Sequence, residues 1–446
     1  MNEREIVLDI LMEVMEGGHF SHLVLRDTLE KYQFIDKRKR AFITRVTEGT
    51  LEHLIEIDYM INQFSKVKVK KMKPIIRNVI RSAVYQMKYL DSVPNSAICN
   101  EAVKLVVKRG FGGLKGFVNG VLRNMMRDLD HIKWPTRDNP VLYYSIQYSL
   151  PEWLVQLWLE QYGANMIEKV GPRFQLETGT TIRVNTTNIQ KEALIKKLEK
   201  EGVIVREHPY ISSALKISGY DSLQFLDSFQ EGDFQVQDIS SMLVGEIAAP
   251  AAHNFIIDVC AAPGGKSLHL ADKLNGTGTV EARDLTDYKI QLIQDNINRT
   301  EMSNVRVVKW DATVLDTNAI EKADIVIADL PCSGLGVLGK KTDLKYKLQP
   351  ESLQELAQLQ RQMLEQVVQY VKPGGKLLYS TCTINRDENE KNAKYIETLG
   401  MKGMNIMENL CQELQMSVVG ENKNMIQLVP GIHDADGFFI AGFYKE

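Results

Sequence analysis

Cysteine is scarce in this chain of 446 residues, and its few cysteines are widely spaced. No CxxC pair and no Cys/His cluster is present, which excludes a disulfide framework and a zinc site of ordinary spacing. We therefore expect a reducing compartment, the cytoplasm, and no bound metal. The five cysteines are Cys99, Cys260, Cys332, Cys382 and Cys411.

Long apolar runs are absent as well. No uninterrupted stretch approaches the roughly 18–20 apolar residues of a membrane-spanning helix, so we expect no membrane segment. Glu3 and Glu5 stand where a signal peptide would be basic and then apolar, and we expect a protein that is not exported. The composition, 44% hydrophobic and 25% charged, is that of an ordinary globular protein with several domains.

Charge is distributed unevenly, although the net charge is only −3. Residues 1–130 contain 22 Lys and Arg against 16 Asp and Glu, a net charge of +6, and the rest of the chain carries −9. A basic N-terminal part followed by an acidic remainder favours contact of residues 1–130 with a polyanion. The alternative is that the basic residues lie on solvated surface loops without such a partner. The candidate phosphate contacts in two basic runs are Lys37, Arg38, Arg40, Lys68, Lys70 and Lys71.

Hydrophobic periodicity divides the chain into three parts. Residues 1–135 carry apolar stripes at helical spacing, which predict an all-α bundle. Residues 136–240 begin with a helical linker and continue in the order β-α-β-β-α-β, with the second helix at 221–226. This order is typical of a small ferredoxin-like α+β unit.

Residues 241–446 alternate between short apolar runs and helical stretches. This rhythm predicts an α/β, Rossmann-like domain with a mostly parallel, doubly wound sheet. The last two runs, at 425–428 and 437–444, have no helix between them. We expect them to pair antiparallel at one edge of that sheet.

The first candidate site is the loop at 258–266, where the first strand of this domain ends. Gly264 and Gly265 let the backbone approach a ligand, and the following helix offers free N–H groups. The loop matches neither GxGxxG nor a phosphate loop, which disfavours a pyrophosphate cofactor. Asp284 and Asp311 follow the next two strands, where such acids accept hydrogen bonds from ribose hydroxyls or an adenine amine. The alternative for both is a local cap.

Two cysteines follow further strands of the same sheet. Cys332 lies in Asp-Leu-Pro-Cys-Ser-Gly at 329–334, and Cys382 lies in Ser-Thr-Cys-Thr at 380–383. Because the carboxyl ends of parallel strands share one edge, both cysteines should flank the same cleft as the first loop. A thiolate there would be a strong nucleophile, whereas we expect Cys99 and Cys411 to be small buried hydrophobes.

These motifs resemble those of S-adenosylmethionine-dependent RNA cytosine-C5 methyltransferases, in particular the RsmB (Sun/Fmu) family that modifies 16S ribosomal RNA. Residues 1–130 resemble the helical, RNA-binding NusB domain that precedes the catalytic part in this family. The segments at 181–185, 236–241 and 430–440 resemble its other signatures. The resemblance covers the whole chain and implies S-adenosyl-L-methionine as cofactor and 16S ribosomal RNA as substrate.

The resemblance also implies roles for individual residues. Cys382 would be the nucleophile that adds to C6 of the cytosine, and Cys332 would assist release. Asp329 would lie between the methionine moiety and the target base. Asp284 would hold the ribose hydroxyls, and Asp311 would lie near the adenine. The loop that lines the cofactor would consist of Cys260, Ala261, Ala262, Pro263, Gly264, Gly265 and Lys266. For RNA, Arg183 is a further candidate phosphate contact, nearer the cleft.

Other functions stay open at this point. A transfer RNA methyltransferase of the same superfamily would share the catalytic motifs, although related enzymes generally lack the NusB-like domain. A non-catalytic NusB-like RNA-binding factor would need neither the cofactor loop nor two cysteines. In DNA cytosine methyltransferases the roles of Cys332 and Cys382 would be exchanged. We expect a monomer.

One segment departs from the family pattern. Residues 280–284 read Val-Glu-Ala-Arg-Asp, where an apolar strand is more usual. Glu281 and Arg283 therefore need an exposed edge or charged partners.

Overall fold

The chain folds into two compact units. The computed structural model describes residues 2–176, 179–417 and 423–446. Unit 1 consists of Met1–Leu176 and Leu338–Leu348, and unit 2 consists of Glu177–Val337 and Gln349–Glu446.

Unit 1 is built from α-helices, which agrees with the predicted bundle. Its helices are α1 (Glu3–Met15), α2 (Ser21–Lys31), α3 (Lys37–Glu52), α4 (Leu54–Phe64), α5 (Pro74–Tyr89), α6 (Asn95–Lys108), α7 (Lys115–Asp128), α8 (Pro140–Tyr148), α9 (Glu152–Tyr162), α10 (Ala164–Phe174) and the short α16 (Leu344–Lys347). The stripe of α1, which includes Val7 and Leu11, is buried in a core that it shares with α3, α5, α6 and α7. Asp36 caps α3 by accepting from the backbone N–H of Arg38, and Pro74 begins α5.

The segment Leu338–Leu348 belongs to unit 1 although it lies far along the chain. Lys345 Nζ donates to the carbonyl of Glu52 at 2.9 Å, and Tyr346 Oη donates to that of Leu51 at 2.7 Å. Asp343 accepts from the backbone N–H of Ser21 at 3.1 Å. The segment therefore satisfies carbonyls that α3 leaves free at its C-terminus. The sequence analysis did not foresee this arrangement.

Unit 2 begins with a small antiparallel sheet of ferredoxin-like topology. Its elements are β1 (Thr180–Val184), α11 (Lys191–Lys200), β2 (Ile204–Glu207), β3 (Ala214–Ser218), α12 (Asp227–Gln230) and β4 (Phe234–Val236), followed by α13 (Ile239–Ala248). The strand order is β2-β3-β1-β4. This confirms the predicted unit, but its second helix lies at Asp227–Gln230, after a single 3-10 turn at Leu223–Phe225, and not at 221–226.

The rest of unit 2 is an α/β domain around a second sheet. Its elements are β5 (Phe255–Asp258), α14 (Gly265–Leu274), β6 (Thr279–Asp284), α15 (Asp287–Thr300), β7 (Val305–Lys309), β8 (Ala323–Asp329), α17 (Pro350–Val367), β9 (Val371–Thr381), α18 (Glu390–Thr398), β10 (Met401–Gly403), α19 (Gln412–Ser417), β11 (Met425–Leu428) and β12 (Phe438–Lys445). The order is β10-β12-β9-β8-β5-β6-β7, and β11 pairs with β12.

The strands β5 to β9 are parallel, and β12 runs antiparallel to β9. This confirms the mostly parallel, Rossmann-like sheet. The predicted antiparallel pair is β11 and β12, but β12 is not the outermost strand, because the unforeseen β10 also pairs with it.

Two apolar cores cover the two faces of this sheet. The core on one face contains Val280 and Ala282 of β6 with residues of α13, α14 and α15. The core on the other face contains Ile257 and Val326 with residues of α17 and α18. Because the strands β5 to β9 are parallel, their carboxyl ends all lie at one edge of the sheet. This edge lies between the helices that pack on the two faces. No described helix is both long enough and apolar enough to cross a membrane.

Candidate active site

The loop after β5 is tied to the end of β6. Gly264 adopts φ +104° directly before α14, a conformation that side chains other than glycine rarely take. The backbone N–H of Ala262 donates to Asp284 Oδ2 at 3.0 Å. Asp284 Oδ1 accepts from the N–H of Leu285 at 2.7 Å and from Lys289 Nζ at 2.9 Å. Asp284 therefore holds the shape of the loop through its own carboxylate.

Asp258, the last residue of β5, carries an unsatisfied atom. It is buried, and its Oδ2 accepts from Ser267 Oγ at 2.6 Å. Its Oδ1 has no hydrogen-bond partner within the described protein. Burial raises the pKa of Asp258 to about 7. The sequence analysis placed this residue at the start of the loop but assigned it no role.

Lys266 and Asp329 form an ion pair across the edge of the sheet. Lys266 Nζ lies 2.6 Å from Asp329 Oδ2, and Asp329 Oδ1 accepts from Ser380 Oγ at 2.8 Å. Burial alone would lower the pKa of Lys266, but the adjacent Asp329 outweighs it, and the pKa is raised above its ordinary value. The site thus holds a buried cation beside the loops of both strand-end cysteines.

Cys332 and Cys382 lie side by side, with their Sγ atoms 3.3 Å apart. The hydrogen bond to Cys382, together with burial, raises the pKa of Cys332 well above its ordinary value. Lys266 acts electrostatically on Cys382. The pair thus places a thiol whose pKa is raised beside a second sulfur that interacts with the Lys266 ammonium group. Burial also raises the pKa of Cys260.

A buried polar network joins the two cysteine loops. Glu388 is fully buried and accepts from the backbone N–H of Ser333 at 2.9 Å, next to Cys332. Asn385 Nδ2 and Gln360 Nε2 donate to the same carboxylate at 3.0 and 3.1 Å. Ser333 Oγ also lies 2.7 Å from Thr383 Oγ1, and Thr383 follows Cys382 on the other loop. The network fixes both loops relative to each other.

Sequence reasoning missed this network. Its signal was present as the polar run Asn-Arg-Asp-Glu-Asn at 385–389, which follows the second cysteine motif closely. Asn389 Nδ2 donates to the carbonyl of Thr383 at 3.0 Å. A polar run gives no sign of burial by itself, and only the fold shows that these side chains are inside.

Asp311 lies just beyond β7, at the same edge of the sheet as the cofactor loop. Its Oδ1 accepts from the backbone N–H of Thr313 at 2.9 Å and from Thr313 Oγ1 at 2.7 Å. These bonds are those of a local turn cap, which was the alternative for this residue. A contact with an adenine stays a prediction.

The basic runs lie on unit 1. Lys37, Arg38, Lys68, Lys70 and Lys71 are exposed, and the buried Val69 anchors the second run. Lys68 Nζ also donates to the carbonyl of Asn62 at 3.0 Å. Arg40 is half-buried, and its Nη1 donates to the carbonyl of Gln33 at 2.9 Å.

Arg183 requires a correction. It is 2% exposed on β1, and its Nη1 lies 2.7 Å from Asp272 Oδ2 on α14. Its Nε donates to Gln237 Oε1 at 3.0 Å. A guanidinium enclosed in this way is not available to a phosphate, so Arg183 ties the ferredoxin-like sheet to the α/β domain and is not an RNA contact.

Unit 2 therefore brings most of the predicted catalytic and cofactor residues to one sheet edge. Within the described residues, no group of three or more His, Cys, Asp and Glu side chains could hold a metal ion.

Three family profiles match successive parts of the chain. The profile of the NusB family matches residues 1–127. A ferredoxin-like domain of RsmF/B-like methyltransferases matches residues 150–223. The profile described as 16S rRNA methyltransferase RsmB/F matches residues 246–444.

Curated relatives match over the full length. The probable ribosomal RNA small subunit methyltransferase B of Bacillus subtilis (strain 168) is 32% identical, and the alignment covers 99% of this chain and 98% of that protein. The protein of the same name from Synechocystis sp. is 28% identical over 100% of both chains. Ribosomal RNA small subunit methyltransferase B of Shewanella oneidensis is 27% identical over 100% of this chain and 99% of its own.

Solved structures show the same fold. The crystal structure of PH0851 superposes with a TM-score of 0.83 at 25% identity and covers 100% of this chain and 99% of its own. A methyltransferase homolog protein from Pyrococcus horikoshii has a TM-score of 0.58 at 23% identity and covers 69% of this chain and 99% of its own. The family profiles and the full-length relatives together show that the chain belongs to the RsmB/F family and is an RNA methyltransferase, which implies the use of S-adenosylmethionine.

Proposed function

We propose that this chain transfers a methyl group from S-adenosylmethionine to C5 of a cytosine in 16S ribosomal RNA through a covalent adduct with Cys382. The names of the full-length relatives support the small-subunit RNA as substrate. We assign RNA binding to a NusB-like domain at 1–135 and the chemistry to a domain at 241–446. A linker and ferredoxin-like domain at 136–240 joins them. We further propose a cytoplasmic monomer.

The residues at the sheet edge fit the cofactor. Asp258 Oδ1 is a buried acceptor without a protein partner, which suits a donor on a bound molecule. Gly264, with its positive φ, gives the loop the turn that leads into the N-terminus of α14. The loop at 260–266, Asp284 and Asp311 would hold the nucleoside and amino-acid parts. When bound, S-adenosylmethionine supplies an electrophilic methyl group to C5.

The two cysteines would divide the remaining chemistry. Carbon 5 of cytosine is a poor nucleophile until the Cys382 thiolate adds to C6 and makes C5 enamine-like. Negative charge then builds on the ring near N3, where the Lys266 ammonium would stabilise it, and Asp329 would contribute through a proton that it shares with Lys266. The target base must leave any stack to reach this site.

Release of the product reverses the addition. A base removes the C5 proton, the electron pair re-forms the C5–C6 double bond, and the bond between Cys382 Sγ and C6 breaks. The Cys332 S–H group, 3.3 Å from Cys382 Sγ, would donate to the departing sulfur. The raised pKa of Cys332 supports this role, because it keeps the thiol protonated until release.

The observation that carries the proposal is this pair of adjacent sulfurs beside the Lys266–Asp329 ion pair. It is tested by incubating Cys332→Ala and Cys382→Ala variants with S-adenosylmethionine and 16S ribosomal RNA, followed by denaturing gels. We expect a stable protein–RNA adduct with Cys332→Ala and none with Cys382→Ala. Cys99→Ala, in the core of unit 1, is the matched control and should turn over without accumulating an adduct.

Other results would redirect the assignment. An adduct with Cys382→Ala alone would mean that the two cysteines have exchanged roles. No adduct with either variant, together with an inactive wild type, would contradict 16S ribosomal RNA as substrate. Methylation of transfer RNA would then identify the alternative enzyme, and a lack of methyl transfer to either RNA would favour a NusB-like binding factor.

A further inference from the structure

A cavity lies on one face of the α/β sheet. The connection from β7 to β8, residues 310–322, contains no α-helix and returns across the sheet as a series of turns. It covers this face incompletely, and a cavity of about 640 Å³ remains beneath it. Pockets for small ligands commonly measure about 300–1,000 Å³, so the cavity has the size of a ligand site.

The charged residues of β6, at positions where an apolar strand is more usual, line this cavity. Glu281 and Arg283 are each 3% exposed and point to this face, while Val280 and Ala282 pack into the core on the other. Arg283 pairs with Glu281, and its Nη2 lies 2.9 Å from Asp316 Oδ2. The buried charges thus have the partners that the sequence required of them.

One donor of this cluster is left over. Arg283 Nη1 is buried and has no hydrogen-bond partner in the described protein. An unsatisfied buried donor on a charged group is costly, so an acceptor in the cavity would be bound favourably.

The charges around the cavity indicate which acceptor fits. The lining contains the cations Arg283, Arg306 and Lys322 against the carboxylates Glu281 and Asp316, an excess of one positive charge. An anionic acceptor would balance this excess and take a charge-assisted hydrogen bond from Arg283. The rings of Phe255 and Trp310 complete the wall and offer apolar surface to the remainder of a small molecule.

The cavity adjoins the site described above but is lined by none of its predicted cofactor residues. It extends from Phe255 and Thr279, which begin β5 and β6, to Arg283 and Trp310, which are next in sequence to Asp284 and Asp311. We propose that this cavity is a second ligand site, which binds a small molecule through a carboxylate or phosphate group held by Arg283. The proposal is independent of the methyl-transfer function.

The test uses Trp310 as a local reporter on the full-length protein. Tryptophan fluorescence is titrated with inorganic phosphate in one arm and with succinate in the other, which distinguishes a phosphate-bearing from a carboxylate-bearing ligand. We expect saturable binding in one arm. The fluorescence change should vanish in Trp310→Phe, which retains the other three tryptophans.

Two substitutions should change the affinity in opposite directions while the buried ion pair between Arg283 and Glu281 stays intact. Arg306→Gln removes a cation and should weaken binding about tenfold, as expected for one charge-assisted hydrogen bond. Asp316→Asn removes the carboxylate that competes for Arg283 and should tighten binding a few-fold. Arg283 itself is not replaced, because its loss would leave the buried Glu281 carboxylate without the Arg283 ion pair and would destabilise the folded protein.

Matched controls come from the opposite side of the same edge. Lys309 and Asp287 form an exposed ion pair at 2.8 Å and do not line the cavity. Lys309→Gln and Asp287→Asn make the same charge changes and should leave the affinity within about twofold, because neither side chain lines the cavity and salt screens attraction over a longer distance. Effects equal to those of the cavity variants, or no saturable binding of either anion, would overturn the proposal.

Discussion

At the scale of single residues, the site depends on groups whose surroundings differ sharply. Cys332 and Cys382 are chemically identical, yet the hydrogen bond between them and burial raise the pKa of Cys332, while Lys266 acts on Cys382. The roles that we propose for them, nucleophile and assisting thiol, therefore depend on their different neighbours. Glu388 bonds to Ser333 on one loop and to Asn385 after the other from a buried position, and we propose that it is a positioning residue.

We predict that Glu388→Gln lowers the rate of methyl transfer. The substitution replaces an acceptor with a group that must also donate, although Ser333 and Gln360 already donate to this position. The free energy of unfolding should fall by about 1–3 kcal/mol, and kcat should fall about tenfold or more with little change in S-adenosylmethionine affinity. Chemical denaturation, single-turnover kinetics and equilibrium binding measure the three effects.

Glu397→Gln is the control for this prediction, because Glu397 is exposed on the neighbouring helix α18. It should leave all three quantities unchanged. A loss of S-adenosylmethionine affinity as large as the loss of kcat would contradict a role limited to the cysteine loops.

Asp258 predicts a pH dependence of stability. Its pKa rises from an ordinary 3.8 to about 7 in the folded chain, so the folded state binds more protons than the unfolded state between these values. Stability should therefore fall as pH rises from about 4 to 7, with a slope of up to about 1.4 kcal/mol per pH unit from this group. Asp258→Asn, compared with wild type by urea denaturation across this range, should remove that component. An unchanged slope would contradict it.

At the scale of elements, one buried ion pair connects the ferredoxin-like sheet to the α/β domain. Arg183 on β1 and Asp272 on α14 are both buried, and Asp272 also accepts from the backbone N–H of Thr187 at 2.9 Å. The predicted cofactor loop leads directly into α14, so this pair also fixes the helix that follows the loop. Desolvated pairs of this kind respond strongly to the loss of one partner.

We predict that Arg183→Met destabilises unit 2 by about 3–5 kcal/mol, because it leaves Asp272 buried without its cation. Thermal unfolding measures this change. The salt dependence of RNA binding should keep its slope, since Arg183 is enclosed. Arg206→Met, at an exposed position of β2 in the same sheet, should have little effect on stability. A reduced salt slope for Arg183→Met would restore it as a phosphate contact.

At the scale of the whole molecule, charge and chemistry occupy different parts of the chain. The basic excess lies in residues 1–130, and the candidate catalytic residues lie in unit 2. Lys68, Lys70 and Lys71 project from a short turn whose Val69 is buried, which presents them to solvent. Such a surface contributes affinity without sequence preference.

We predict that reversing the charges of Lys68, Lys70 and Lys71 lowers the affinity for RNA and flattens its salt dependence. Three lost phosphate contacts should reduce the slope of log K against log salt by about 2. Filter binding or fluorescence anisotropy across a salt series measures both quantities. The same reversal at Lys31, Lys104 and Lys115, which are exposed elsewhere on unit 1, is the control. An equal change in both triple variants would indicate unspecific attraction.

Local patterns alone determined much of this protein. Apolar spacing specified the helices of unit 1, the ferredoxin-like order and the parallel sheet, because burial of a periodic stripe depends on near neighbours in the chain. The motifs at the strand ends located the candidate site, because the carboxyl ends of parallel strands meet at one edge of the sheet. The short β10 and the displaced α12 escaped prediction, since elements of three or four residues carry too little periodicity.

Tertiary structure decided what depends on distant partners. Arg183 looks like a surface cation in the sequence, but α14 supplies Asp272 and encloses it. Glu388 lies in an ordinary polar run until the two cysteine loops close around it. The segment Leu338–Leu348 belongs to unit 1 only because Lys345 and its neighbours meet the free carbonyls of α3. In each case burial and a hydrogen bond or an ion pair join residues far apart in the chain, and no local pattern records such a contact.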